Sequence, residues 1–390
     1  MRRTALALLA VLAVLAAAPP WAAAQRSHSS RTPRNWIAGL IGAALGGAAA
    51  GTYATLSGGA IGNCSRPKCV SILSVGTGAL VGFMIGRESD RLYNLRYRFG
   101  RPITLRGQRL DLAFVPLDVR VHGPTVAVAG EGGVEILSGA PRLERVTTRG
   151  RGLRGVQLAE PERERLLVGT TIGLYAFPLG GDQTLGALLA PGEVSALDLR
   201  GERILIASGR QVALASALND SLRTLGESRV FGSPVVDIAW DARRELAWVL
   251  TESALVAVAV ADTALGDSVG AFALPAPGRR LDLEGDTAAV AAGEGGVFLL
   301  GVAEPRAPVV LAQWSGARFA YDVALRGGVV YLAAGPEGLY VLDAGAGGNF
   351  AVRGLDRHFG FVASLRVSNG ELYVVDRAGK ALHRVSLPAR

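Results

Sequence analysis

From Pro116 onward the apolar positions come in blocks, and the blocks repeat. Each copy sets an Asp or other polar residue inside a short apolar stretch. A strand-like run follows, then a Gly-rich turn, then a second strand-like run. The clearest copies are Val126–Leu137, Ala288–Leu300 and Val329–Asp343. Weaker copies are Arg165–Leu179, Arg203–Ser216, Leu246–Val260 and Leu372–Val385. The first residue past each turn is Val134, Leu174, Val212, Leu255, Val297, Leu339 and Ala381, in steps of 40, 38, 43, 42, 42 and 42 residues. The runs are apolar almost without interruption. A strand with one wet face alternates, whereas an uninterrupted run is covered on both faces. Units of about forty residues with several strands each, packed against like neighbours, are the blades of a β-propeller. The expected fold is therefore all-β, a seven-bladed β-propeller over residues 103–390.

Within the unit the spacing assigns roles. Apolar triplets centred on Asp118, Asp198, Asp237, Asp282 and Asp322 read as innermost strands. A variable last segment, such as Val309–Trp314 or Asp267–Leu274, reads as the outer edge. Gly130, Gly293 and Gly335 sit where a tight hairpin turn needs positive φ. The last copy ends near Leu387 and leaves no room for a fourth strand. Ile103–Phe114, ahead of the first triplet, has strand character and is predicted to complete the final blade.

The pattern VYLAAGPEGLYVLD at Val329–Asp343 resembles the LVIVD-repeat family of propellers, found in exported bacterial and archaeal proteins. The likeness spans about 270 residues and is fullest in the fifth and sixth copies. No WD dipeptide occurs at the repeat positions. The resemblance implies a fold and an extracytoplasmic setting, and carries over little chemistry.

Ahead of the repeats the chain changes character. Residues 1–24 read as a signal peptide, with Arg2 and Arg3, an apolar run over Leu6–Ala18 and small residues Ala22–Ala24 before Gln25. The alternative is an uncleaved anchor helix. After a linker (25–35), Trp36–Gly62 and Val70–Gly86 carry no formal charge. Gly39, Ala43, Gly47 and Gly51 recur every fourth residue, as do Gly78, Gly82 and Gly86. That spacing lines one helix face with small residues and lets a second helix approach closely. Residues 36–86 thus read as a Gly-rich two-helix hairpin, which resembles the glycine-zipper hairpins of bacterial envelope proteins. It associates with a membrane, or forms a buried or self-associating pair that does not cross one. Cys64 and Cys69 in its polar loop are disulfide candidates for an oxidising compartment. Residues 87–102 form a second linker, with Arg, Leu and Tyr interleaved.

The net charge of +8 changes this picture little. Only Lys68 and Lys380 among the 41 basic residues are lysine. The densest cluster, Arg142, Arg145, Arg149, Arg151 and Arg154, is expected on a solvated outer strand and loop, and no nucleic-acid partner is expected. The four histidines share no metal-ligand spacing, and GEGG at Gly130–Gly133 joins two strands and opens no helix, which makes it a turn and not a phosphate cradle. Trp240, Trp248 and Trp314 read as blade packing. The recurrent Asp residues are the one polar constellation: they either ring the channel and hold a cation or cap turn amides within or between blades. Together these readings predict a non-catalytic, envelope-associated scaffold that binds a protein or other envelope macromolecule, with no cofactor. A hydrolase or lyase using channel carboxylates, and a membrane-oligomerising hairpin capped by a propeller, are the alternatives.

Overall fold

The computed structural model describes residues 100–388 except 163, 181–185, 219–220 and 345–347. The expected leader, the expected hairpin with its glycines Gly39 to Gly86, and Cys64 and Cys69 lie outside the described residues. Contacts divide the chain between Tyr97 and Arg98.

Each repeat becomes one antiparallel sheet, whose innermost strands are Val115–His122, Val156–Glu162, Ala196–Arg200, Val235–Asp241, Arg280–Glu284, Asp322–Arg326 and Val362–Ser368 for blades 1 to 7. The Asp-centred triplets fall on five of them, and those of blades 2 and 7 carry no Asp. The uninterrupted apolar runs have the expected cause. Successive residues of a strand face opposite neighbours, and both neighbours are dry. In blade 5, Ala289, Ala291 and Leu299 pack toward blade 6. Ala288, Val290, Phe298 and Leu300 pack toward blade 4. Seven such inter-blade cores close the ring, and the last joins Tyr373, Val375 and Leu382 of blade 7 to Val119, Val126 and Leu137 of blade 1.

The predicted closure is present, with a refinement. Gln108–Asp111 is the fourth strand of blade 7, antiparallel to Ala381–Ser386 with Arg109 opposite His383. The residues before it follow blade 6 instead: Arg101–Pro102 adds in parallel to Phe350–Asp356, and the Ile103 amide donates to Leu355 O at 3.1 Å. Two buried carboxylates pin the segment. Asp356 of blade 6 accepts from the Leu105 amide at 2.5 Å. Glu135 of blade 1, 0% exposed, accepts from the Ala113 amide at 2.5 Å. The Gln108 side chain also bonds both the amide and the carbonyl of Leu143 in blade 1. One short segment thus stitches three blades.

Two expectations are corrected. Gly293 (φ 53°) and Gly335 (φ 56°) do hold positive φ, but in the first copy Gly132 and Gly133 take that role and Gly130 does not. Gly130 is needed for closeness: a Cβ there would lie 2.3 Å from the Val115 carbonyl oxygen. Nor is the arginine cluster wholly solvated. Arg142, Arg151 and Arg154 are exposed, but Arg149 is 4% exposed. Its guanidinium crosses to blade 2 and donates to Pro178 O at 3.0 Å. Arg145 bonds the buried Glu135.

Candidate functional site: the central channel and its mouth

Innermost strands turn alternate side chains toward the axis, so each blade offers two inward positions two residues apart. Strand register fixes them. Asp118, Asp237 and Asp322 pair across from Ala129, Leu250 and Ala333, each of which lies opposite the opening of the third strand. Arg280 and Ala196 hold the same position in blades 5 and 3, opposite Ala291 and Ala207. Asp198 and Asp282 pair with Leu205 and Ala289, one step deeper. The five recurrent Asp residues therefore do not form one ring. They divide between two tiers, interleaved with Arg120, Glu160, Arg280, Ser364 and Arg366.

The carboxylates are engaged. One oxygen of each reaches the next blade: Asp198 accepts from the Trp240 amide at 2.6 Å, Asp237 from Leu281 at 2.8 Å, Asp282 from Leu325 at 2.7 Å and Asp322 from Leu365 at 2.8 Å. At the seam the Ser364 hydroxyl donates to Asp118 at 3.0 Å. The second oxygen of Asp198, Asp237 and Asp322 accepts from the following amide of its own strand. Each Asp is thus a staple between blades: four bond strand amides and not turn amides, and Asp118 bonds the Ser364 hydroxyl and the Arg120 guanidinium. A hydrogen bond to a charged group is worth about 1.5–3 kcal/mol.

Arginines fill the axis. Arg120 lies 3.2 Å from Asp118, 3.9 Å from Glu160 and 4.0 Å from Asp237 of blade 4 on another side of the ring. Arg366 lies 3.6 Å from Asp282. About 10 Å³ is left among Asp118, Arg120, Asp237, Arg280 and Asp322, room for one water at most. Burial pushes the Glu160 carboxyl up to about 7, with Arg120 and Arg366 opposing. Burial likewise raises Asp322 to about 6, against Arg280, and raises Asp198 and Asp282. Burial would also raise Asp118, but Arg120, Arg280 and the bond from Ser364 together hold it below the usual carboxylate range.

On the face where the innermost strands begin, the channel widens into a funnel of about 530 Å³. Arg279, Arg280 and Arg377 line it together with Tyr321, Phe361, Gln157 and Glu193. Phe319, Tyr321 and Phe361 form a row with ring centroids 4.6 and 5.1 Å apart. The Arg279 guanidinium lies 5.5 Å from the Phe319 ring centroid. The tryptophans lie elsewhere: Trp248 and Trp314 are buried in inter-blade cores, and Trp240 packs beside a third under Arg203.

Sequence reasoning missed the channel arginines and Glu160. A signal existed only for Arg120 and Arg280, each two residues from a recurrent Asp; the strands of Glu160 and Arg366 carry no Asp to mark an inward position. It also missed a histidine pair. His383 and His358, 25 residues apart, approach to 5.7 Å between rings. Burial, with His358 second, lowers His383 to about 4. Among the described residues no three His, Cys, Asp or Glu side chains converge as a metal site would require.

No protein-family model matches the sequence, and no curated protein does. Solved structures match by fold. The WD40 propeller domain of Doa1 aligns with a TM-score of 0.57 at 15% identity, over 73% of this chain and 97% of that one. U3-55K aligns at 0.58 and 16% identity, over 73% and 98%. A chain of the mitotic checkpoint complex aligns at 0.58 and 12% identity, over 73% and 96%. At such identities the likeness shows the fold alone. The protein is an all-β, seven-bladed propeller.

Proposed function

We propose that the protein is a non-catalytic, envelope-associated scaffold that binds a protein partner at the mouth of its ring. One observation carries this reading: the channel's polar groups are spent on each other and on strand amides, while the mouth above them is wide, aromatic and cationic. A rigid ring with an open concave face suits recognition, and one structural neighbour comes from a multiprotein assembly, the mitotic checkpoint complex. The leader-like residues 1–24, the Gly-rich segment 36–86 and the likeness of the repeats to exported LVIVD-type propellers support the envelope setting. A photo-crosslinking residue at Gln157, on the funnel wall, should trap a protein in intact cells, and Tyr321→Ala should lower the yield. The same bands with the crosslinker moved to Val309, on the outer edge of blade 5, would refute the site. Protease accessibility of the propeller in fractionated cells tests the compartment.

A further inference from the structure

We infer that the funnel takes an acidic peptide segment, its carboxylates held by Arg279 and Arg377 and its apolar side chains laid on the Phe319–Tyr321–Phe361 row. This rests on the reading that the mouth is a protein-binding site, and names what it selects.

The charge inventory of the wall makes the first argument. Three guanidiniums face a single carboxylate, Glu193, which already accepts a bond from the Gln157 amide at 3.1 Å. The three arginines are not equivalent. Arg280 points its charge down the channel, among Asp118, Asp237 and Asp322. Arg377 reaches Glu131 at 3.3 Å, a contact between two exposed groups and so readily exchanged for another carboxylate. Arg279 is exposed, and no carboxylate among the described residues lies within ion-pairing distance of it. Its guanidinium is held by stacking near Phe319, which leaves the planar edge free for two parallel hydrogen bonds to a carboxylate.

The aromatic row makes the second argument. Phe319, Tyr321 and Phe361 are all partly exposed, although rings of this size gain most from full burial. They come from the connections that lead into blades 6 and 7, and so form one continuous strip across two blades. A strip of rings bordered by guanidiniums fits an extended chain that alternates acidic and apolar residues. The site is a concavity of about 530 Å³, which a flat anionic bilayer does not enter.

The test uses the full-length protein and fluorescein-labelled peptides read by anisotropy at low salt. One peptide carries three glutamates around a phenylalanine, a second has glutamine for glutamate, and a third has lysine. The acidic peptide should bind at least about tenfold tighter than the glutamine peptide, and the lysine peptide not measurably. Arg279→Ala with Arg377→Ala should bring the acidic peptide to the level of the neutral one. Arg279→Lys should recover only part of the difference, because an ammonium lacks the guanidinium's paired donors. Arg353→Ala, on the outer strand of blade 6, should change nothing. Equal binding of acidic and neutral peptides, or indifference to the double substitution, would overturn the inference. So would anionic phosphatidylglycerol vesicles that bind the protein and lose that binding with the double substitution while the peptides do not. If the Gln157 crosslink survives the double substitution, the mouth remains the docking site and the acidic specificity alone is wrong.

Discussion

Replacing Arg120 with methionine keeps an unbranched stem on the innermost strand of blade 1 and removes the guanidinium that bridges Asp118, Glu160 and Asp237. Breaking a buried ion pair from one side costs about 3–5 kcal/mol, because the partner charge stays behind without its counterion. The structure argues for the low end. Asp118 keeps the Ser364 hydroxyl, and Asp237 keeps the amides of Ile238 and Leu281. Glu160 has less left, with only the more distant Arg366 opposing its burial. We expect a loss of about 3 kcal/mol at pH 8, read from urea unfolding followed by tryptophan fluorescence, with the buried Trp248 as the main reporter. The pH dependence separates this cause from a packing defect. Glu160 has its folded-state pKa raised to about 7, above its unfolded value. The folded protein therefore binds the extra proton between the two, and that contribution is full below the unfolded pKa and lost as pH rises through 7. Asp118, held low, loses stability only under stronger acid. In the variant the raised carboxyls rise further, so the deficit should shrink by about half at pH 5. A deficit under about 1 kcal/mol, or one equal at pH 5 and pH 8, would refute the ion-pair account of the plug.

Other substitutions test separate links. Glu160→Gln should flatten the fall in stability between pH 5 and pH 8, a slope worth up to about 3 kcal/mol for a shift from 4.5 to about 7; a pair of urea titrations measures it. Gly130→Ala drives a Cβ against the Val115 carbonyl and should cost about 2–3 kcal/mol, whereas Gly123→Ala, in open space at φ 58°, should cost about 1 kcal/mol for backbone conformation alone. Deleting Pro102–Ala113 removes the fourth strand of blade 7 and the amide bonds from Leu105 and Ala113 to Asp356 and Glu135, and should lower the melting temperature by about 10 °C in calorimetry. An unchanged melting temperature would mean that the ring does not depend on this segment.

The repeat was legible because two independent periods agree. Turns recur near forty residues, and the apolar runs between them do not alternate, which only a sheet buried on both faces allows. The closing strand was legible by subtraction, since the last copy lacks a member. The plug was not. Asp118 and Asp282 stand out as acids inside apolar triplets, while Arg120 and Arg280, two residues away, fall just outside those triplets. The two tiers were hidden for a related reason: Asp198 and Asp282 sit one pair further along their strands than Asp237 does, and a sequence without pairing partners does not reveal depth. Arg149 misled because a charged residue near an outer edge is usually wet, and here it is bonded under a neighbouring blade. The aromatic row comes from two connections some forty residues apart, and only the ring brings Tyr321 to Phe361.

The seam also dictates a sequence of events. Neighbouring blades meet across short stretches of chain, but Arg109 must find His383. The entropy of closing a loop grows with its length, so six joints form from nearby contacts and the seventh waits. Synthesis runs from the N-terminus, which makes Gln108–Asp111 earlier than every strand of blades 1 to 6 that is laid down in order, and among the last to acquire a partner. Until Ala381–Ser386 arrives, two edges stand open: this strand and the second strand of the unfinished blade, Glu371–Asp376. Edges of that kind invite pairing with other chains. A truncation that removes only the final blade strand should therefore leave most blades formed yet yield a protein that aggregates, and the hazard is greatest for chains that stop a few residues short.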